Sequence, residues 1–300
     1  MADLNARVVA ITGGARGIGR AIATELAHAG ARVGIGDVDL GAAQEAAAAI
    51  GSGVEAFEVD VTDRASVDRF LDGVEDRLGP LDVMVNNAGI LLVGPFLDED
   101  DAATERQLAV NVMGVVHGMR SALPRMVRRG RGHLVNIASS ASWAAPPGEV
   151  SYSATKHAVL ALTDGVREEL HGSGVELTGV YPGLVDTELA KGTKPPRGSR
   201  WVSPDDVARV VVAAIRDPRP DVFVPREFAF TTRLARALPT RARQRVMRAL
   251  DVNRVTETTD PGERADYMKR IGLDPDAAGR GTARPDRSAA GARSASGEDG

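Results

Sequence analysis

Residues 7–30 read RVVAITGGARGIGRAIATELAHAG, and this stretch decides the fold. Arg7 to Thr12 is a short β-branched run of the kind that forms a buried strand. Gly13 to Gly19 follow at once, and RAIATELAHAG then carries a helical periodicity that stops at Gly30. Strand, glycine turn and helix in that order put backbone N–H groups and a helix N-terminus where a pyrophosphate can sit. Gly13 would permit the tight turn, Gly17 close approach of the phosphates, and Gly19 close packing of helix on strand. The spacing is G-x-x-x-G-x-G rather than the G-x-G-x-x-G of the general dinucleotide fingerprint. A second strand, ARVGIGD, ends in Asp37, eighteen residues after Gly19. An acidic side chain there can accept hydrogen bonds from the ribose hydroxyls of a bound adenosine.

Outward from this unit the same alternation repeats. Strand-like runs fall at 7–12, 32–36, 54–59, 82–86, 132–138, 175–181 and 221–224. Amphipathic stretches lie between them at 17–29, 40–50, 63–78, 104–129, 150–171 and 204–216. Repeated β–α alternation predicts an α/β fold: a doubly wound parallel sheet of about seven strands, with helices on both faces, in one domain. Ligands in such a sheet sit at the carboxyl ends of the strands. Gly13 to Gly19, Asp37, Asp60, Asn86 to Gly89, Ser139 and Pro182 all fall just after expected strands, so they are expected to gather along one edge.

A second constellation lies in NIASSASWAAPPGEVSYSATKHAV, residues 136–159. With no Gly or Pro from Val150 to Val159, a helix there would project Tyr152 and Lys156 from one face. A free phenol has a pKa near 10 and is a poor acid or base at neutral pH. A nearby ammonium favours the phenolate and brings that pKa towards the working range. Ser139 stands thirteen residues before Tyr152, and that offset favours it over the adjacent Ser140, which reads better as a packed or capping hydroxyl.

TGGARGIG (Thr12–Gly19), NNAG (Asn86–Gly89), Asn111 in LAVNVMG, Ser139, YSATK (Tyr152–Lys156) and Pro182–Gly183 occur in one order and spacing. Together they resemble the short-chain dehydrogenase/reductase family over residues 5–225. The resemblance implies hydride transfer between a nicotinamide and a carbonyl or secondary alcohol, with Tyr152 as general acid/base. Ser139 would hold the substrate oxygen as an oxyanion-type donor. Lys156 would lower the tyrosine pKa and hydrogen-bond the nicotinamide ribose, and Asn111 would anchor a water linking that lysine to solvent. Further cofactor contacts are implied at Asp60, Val61, Asn87, Ala88, Gly89, Pro182, Gly183, Val185 and Thr187, with Ile18 packed beneath the cofactor. For Asp60 and for NNAG, a helix cap and an Asn/Gly turn are the competing readings.

Cofactor choice has a physical argument. A 2′-phosphate would sit against Asp37 and be repelled, which favours NAD over NADP. Arg16, in the glycine loop, is the counterweight, because it could reach such a phosphate. The expected pocket walls, Ile90–Phe96, Ser142–Gly148 and Leu184–Trp201, are largely apolar. Trp143 and Leu189 are candidate substrate contacts. They favour a small apolar ketone or alcohol, steroid-, retinoid-, terpenoid- or acyl-like, over a sugar. Gly192–Arg200 reads as a lid or as an ordinary surface loop.

Composition agrees with these readings and sets limits. The net charge of −4 argues against nucleic-acid binding. The chain has no cysteine, which excludes disulfides and thiolate-held metal and fits a cytoplasmic protein; no metal site is expected. No apolar run reaches the eighteen residues of a membrane span, and the sequence passes directly into the first strand, so neither a membrane span nor a signal peptide is expected. Only four of the 37 basic residues are lysines, which makes a lysine at 156 less accidental.

Beyond residue 225 the chain departs from the compact family pattern. Residues 226–273 read as a basic helical extension, and 274–300 as a disordered tail low in large apolar residues. Seven arginines against Glu227 give +6 between 226 and 248, with apolar residues interleaved. Such a segment, 226–250, can make peripheral membrane contact. A solvated arginine face on helices packed near the substrate mouth or a partner subunit is the favoured reading. Pro239 argues against one long helix. A homo-dimer or homo-tetramer through 104–129 and 150–171 is the family habit. The alternative function is a catalytically silent nucleotide-binding regulator or scaffold, which would be expected to have lost Tyr152, Lys156 or Ser139.

Overall fold

A computed structural model describes residues 3–193, 200–230, 234, 238–249 and 261–273. Seven strands, β1 (Val8–Thr12), β2 (Arg32–Asp37), β3 (Val54–Glu58), β4 (Val83–Asn86), β5 (Gly132–Ile137), β6 (Val175–Pro182) and β7 (Asp221–Val224), form one sheet. Their order is β3-β2-β1-β4-β5-β6-β7 and every pair is parallel. Each boundary lies within one residue of the sequence expectation. Between β1 and β4 the order reverses direction, which opens a crevice at the carboxyl ends of those two strands.

The strand sequences show why both faces are covered. In β1, Val9 and Ile11 belong to one apolar cluster, Val8 and Ala10 to another. Successive side chains point to opposite faces, so a run apolar at every position must be buried on both. Helices α1 (Gly17–His28), α2 (Leu40–Ile50) and α7 (Pro204–Arg216) supply the first cluster. Helices α3 (Arg64–Leu78), α5 (Gly114–Arg128) and α6 (Val150–Glu169) supply the second. Burying a Leu, Ile, Val or Phe side chain contributes roughly 1.5–3 kcal/mol, so these faces, rather than helix propensity, hold the helices in place.

The single helix expected over 104–129 is instead three pieces. Helix α4 (Asp101–Leu108) passes into a π-helical turn, Ala109–Met113, before α5 begins. Asn111 causes the break: its Oδ1 accepts from Ile90 N at 2.8 Å, and its Nδ2 donates to Ile90 O at 2.8 Å and to Thr155 Oγ1 at 3.1 Å. A widened turn that re-aims one side chain is a common device beside functional sites.

Past β7 the described part of the expected extension includes helical stretches, while 231–233, 235–237 and 250–260 lie outside the described residues. Residues 228–230 are helical, and α8 (Thr240–Ala249) starts just after the proline. A last helix, α9 (Pro261–Arg270), packs back onto the body through Tyr267 and Met268 against Leu92 and Ala103. The tail expected from 274 and positions 194–199 of the expected lid lie outside the described residues. Among the described residues no helix is long and apolar enough to cross a membrane.

Candidate active site

The glycine turn after β1 has the features a phosphate cradle needs. Gly13 and Gly17 adopt φ of +64° and +53°, which side chains resist. A Cβ at Gly19 would stand 2.2 Å from Gly13 O, so only glycine lets α1 approach β1 this closely. A Cβ at Gly17 would meet only the Thr187 side chain, at 3.3 Å; the space is otherwise open. Helices α2, α3, α4 and α7 carry side-chain caps from Asp39, Asp63, Asp100 and Ser203, whereas α1 has none. Its first N–H groups therefore lack a side-chain acceptor at the position where an anion gains from the helix dipole. These observations fit a nucleotide pyrophosphate.

The neighbouring strand ends fasten this loop. Asn87 Nδ2 donates to Thr12 O at 2.9 Å and Gly13 O at 3.0 Å. Thr12 Oγ1 accepts from Asn87 N at 3.1 Å and Ala88 N at 3.2 Å. NNAG is thus tied to the glycine loop across β1 and β4. Thr12 was not singled out, because a hydroxyl at a strand end carries no spacing signal of its own. Asp37 Oδ2 accepts from Ala15 N at 3.2 Å, which places its carboxylate beside the loop. Asp60 Oδ1 accepts from Thr62 N at 2.9 Å and Thr62 Oγ1 at 2.7 Å, an Asp-led turn; the cap of α3 is Asp63. Val61 is buried against Gly114, and Ile18 packs partly buried on the first core cluster.

Arg16 is where the structure adds most to the expectation. It pairs with Asp39 at 2.7 Å, a residue the sequence reading passed over. Asp39 also caps α2 by accepting from Ala42 N at 3.0 Å. Its hydrogen bond to Arg16 is the main reason that the guanidinium sits above its ordinary value and the carboxyl below its own.

Ser139, Tyr152 and Lys156 come together as the i and i+4 spacing predicted. Tyr152 and Lys156 are buried on α6, with Nζ 5.7 Å from the phenol ring centre. Ser139 ends the loop after β5, where Oγ accepts from Ala141 N at 3.1 Å, and it lies against the Tyr152 phenol. Lys156 Nζ donates to Ile137 O at 3.1 Å, and burial brings its ammonium down to about 8. Ser140 opens a short 3₁₀ turn, Ser140–Ser142.

One electrostatic expectation needs correcting. Burial pushes the Tyr152 phenol well above its ordinary value, Glu149 adds to that rise, and Ser139 opposes it. Lys156 Nζ lies over the phenol ring and donates to a backbone carbonyl. Asn111 shows a similar shift of role: both amide protons are used on Ile90 and Thr155, so a water held at this position would have to use the main chain.

The substrate side is apolar around the phenol. Tyr152 clusters with Leu91, Val93 and Ala141, and Leu189 packs against them. Trp143 does not join this group. Its indole lies edge-on to Tyr181 and tilted against Phe223, both at 5.5 Å, in the second core cluster. Pro182 ends β6, Gly183 N donates to Val224 O at 2.8 Å, Val185 is buried, and Thr187 faces Gly17. Three residues beyond the sequence expectation stand close by: Glu149, Arg264 and Tyr267, all buried. Burial lifts the Glu149 carboxyl to about 7, with Arg264 opposing. No family motif contains them, and two lie more than a hundred residues from Tyr152 in the chain.

A seven-stranded parallel sheet with a glycine cradle and a Ser–Tyr–Lys cluster at its carboxyl edge defines a nucleotide-dependent oxidoreductase class. The short chain dehydrogenase family model matches residues 7–198, and the chain belongs to that family. It is 39% identical over 225 residues to 1-deoxy-11-beta-hydroxypentalenate dehydrogenase of Streptomyces exfoliatus, covering 72% of this chain and 82% of the relative. A Burkholderia phymatum short chain dehydrogenase/reductase in complex with NAD superposes with a TM-score of 0.73 at 28% identity, covering 79% of this chain and 95% of the other. A Brucella melitensis 3-ketoacyl-(acyl-carrier-protein) reductase complexed with NADH gives 0.68 at 26% identity, covering 74% and 97%.

Proposed function

We propose that this oxidoreductase interconverts a carbonyl and a secondary alcohol on an apolar substrate, with NAD(H) as its cofactor and Tyr152 as general acid/base. The observation that carries this reading is the convergence of Ser139, Tyr152 and Lys156 with Leu91, Val93, Ala141 and Leu189.

The residues that would hold the cofactor are Gly13, Arg16, Gly17, Ile18, Gly19, Asp37, Asp60, Val61, Asn87, Ala88, Gly89, Pro182, Gly183, Val185 and Thr187, with Tyr152 and Lys156 at its reactive end. When bound, the nicotinamide supplies or accepts the hydride. Tyr152 gives its phenolic proton to the substrate oxygen during reduction and takes it back during oxidation. Ser139 donates to that same oxygen and offsets the charge developing there. Lys156, charged below about pH 8, favours the phenolate once the tyrosine proton has left. The walls of Leu91, Val93 and Leu189 exclude water and select apolar carbon. The Streptomyces relative, named for a hydroxylated substrate, supports an alcohol or ketone of that character.

NAD over NADP rests on charge. Asp37 and Asp39 stand together at the end of β2, and Arg16, the glycine-loop cation that could welcome a 2′-phosphate, is paired with Asp39. The NAD-bound and NADH-bound neighbours agree with this choice. The silent-scaffold alternative finds no support in a site that retains all three polar side chains. Peripheral membrane contact through 226–250 draws on its arginines, of which Arg226, Arg241 and Arg245 are exposed, and on the apolar residues between them, of which Leu234 is exposed.

The test is nicotinamide absorbance with NADH or NADPH, a panel of apolar ketones, and Tyr152→Phe alongside. NADH turnover that falls by about 10²–10⁴-fold in Tyr152→Phe, with NADH binding retained, is expected. Full activity in Tyr152→Phe would remove the tyrosine from its role. Faster turnover with NADPH at equal concentration would overturn the cofactor assignment.

A further inference from the structure

The segment Ile90–Leu92 runs beside Tyr152 without belonging to any strand or helix, so its backbone groups must find partners elsewhere. All three amides find them in side chains. Ile90 N donates to Asn111 Oδ1, Leu91 N to Tyr267 Oη and Leu92 N to Gln107 Oε1, each at 2.8 Å. Two of these acceptors come from the α4–α5 region, within the residues matched by the family model. The third, Tyr267, comes from α9, beyond them.

Arg264 stands one turn earlier on α9, and its guanidinium is 3% exposed. Its Nη2 donates to Leu91 O at 2.7 Å, and its Nη1 donates to Leu189 O at 3.1 Å and Lys191 O at 2.9 Å. One buried cation thus joins the two segments whose side chains, Leu91 and Leu189, pack against Tyr152. Its carbon lies 4.9 Å from the Tyr267 ring centre, so the two residues brace each other. Arg270 pairs with Glu188, and Leu189 packs among Tyr267 and Met268. Burying a guanidinium is costly unless its donors are used. Here Nη1 and Nη2 are used on three carbonyls of the pocket wall, while Nε is buried without a partner, so the guanidinium depends on those carbonyls.

We propose that Arg264 and Tyr267 are positioning residues that set the shape of the substrate pocket, so that substrate recognition depends on the C-terminal helix α9. The helix acts through Leu91 and Leu189, which it holds at a fixed spacing across the phenol. Without the clamp, three carbonyls and one amide lose their partners, and the two walls move independently. None of these bonds reaches the glycine turn Gly13–Gly19, so the effect falls on the substrate walls rather than on the phosphate cradle. This inference rests on Tyr152 marking the reaction centre, as proposed above, but the clamp can be tested without turnover.

The experiment uses the full chain as wild type, Arg264→Ala, Arg264→Lys and Tyr267→Phe. Amide hydrogen exchange is followed at the amides of 90–93 and 188–193. Faster exchange in both segments for Arg264→Ala, in 90–93 for Tyr267→Phe, and none at Gly13–Gly19 is expected. With 1-decalone as the probe ketone, KM for the ketone rises roughly tenfold in Arg264→Ala, the loss of about 1.4 kcal/mol, while KM for NADH is unchanged. Arg264→Lys restores part of the ketone KM, since an ammonium can serve some of the three carbonyls. If Arg264→Ala fails to fold, Tyr267→Phe, which deletes one oxygen, carries the same comparison. Unchanged exchange in both segments, or a ketone KM that follows only the loss of thermal stability and moves together with the NADH KM, overturns the proposal. Should 1-decalone give no turnover with wild type, the catalytic reading is in question, and the exchange data still decide the clamp.

Discussion

Ser139 Oγ accepts from Ala141 N, which orients the hydroxyl for the donor role proposed for it. Ser139→Ala removes one preorganised donor. A fall in kcat of about 10²–10³-fold is expected, with NADH affinity unchanged in a fluorescence titration. A drop in NADH affinity as large as the drop in kcat would place Ser139 in binding instead. Asp39 offers a second test at this scale. Asp39→Asn keeps a good cap for α2, since Asn and Asp cap equally well, but it releases Arg16 from its ion pair. NADPH should then gain severalfold in kcat/KM relative to NADH. An unchanged ratio would mean that Asp37 alone excludes the 2′-phosphate.

Gly19 shows how an element depends on one residue. A Cβ there would overlap the backbone at Gly13 O and crowd Asn87 Nδ2 at 2.6 Å, a side-chain end held in place by its bonds to Thr12 O and Gly13 O. Gly19→Ala should therefore lift α1 away from β1. It should cost about 1–3 kcal/mol in urea unfolding and abolish NADH binding, whereas an equally buried Ala23→Gly change should spare binding. Normal NADH affinity in Gly19→Ala would disprove the close-packing role. Element boundaries were largely legible in the sequence, because the central strands β1 and β4, buried on both faces, stand out as short apolar runs between turns and amphipathic helices. The π-helical turn at Ala109–Met113 was not. Apolar periodicity reports which face of a helix is buried, and the break depends on hydrogen bonds from Asn111 to residues 21 and 44 positions away.

At the scale of the whole molecule, two buried titrating groups bend stability with pH in opposite senses. Glu149 titrates at about 7 in the folded state, against an ordinary 4.5. The native state therefore keeps its proton longer than the unfolded chain, and stability falls as pH rises from about 4.5 to about 7. His133, whose Nε2 lies 2.8 Å from Thr178 Oγ1, is held down at about 4 by burial, with Arg7 adding to it. Its contribution is present above the ordinary 6.5 and is lost as pH falls towards 4. The two slopes oppose each other between about 4.5 and 6.5. In Glu149→Gln only the histidine slope remains. Its Tm should rise across that window and gain on wild type by a few degrees by pH 8. Parallel profiles of Tm against pH would refute the buried carboxyl.

By itself the sequence determined the class of fold and the edge of the sheet at which Gly13–Gly19, Ser139, Tyr152 and Lys156, the groups proposed for the chemistry, gather. Those features are local: a glycine turn between strand and helix, and two side chains four residues apart on one helix, follow from backbone geometry over a few residues. What only the tertiary structure decided is everything that depends on distant segments meeting. Asp39 neutralises Arg16 across 23 residues, Trp143 is drawn to Tyr181 and Phe223 rather than to Tyr152, and Arg264 reaches back 173 residues to Leu91. Burial of Tyr152, which sets its proton affinity against the pull of Lys156, is likewise a property of the packed molecule. Local spacing can place a functional group on an element, but desolvation and partner choice arise only when the elements close over it.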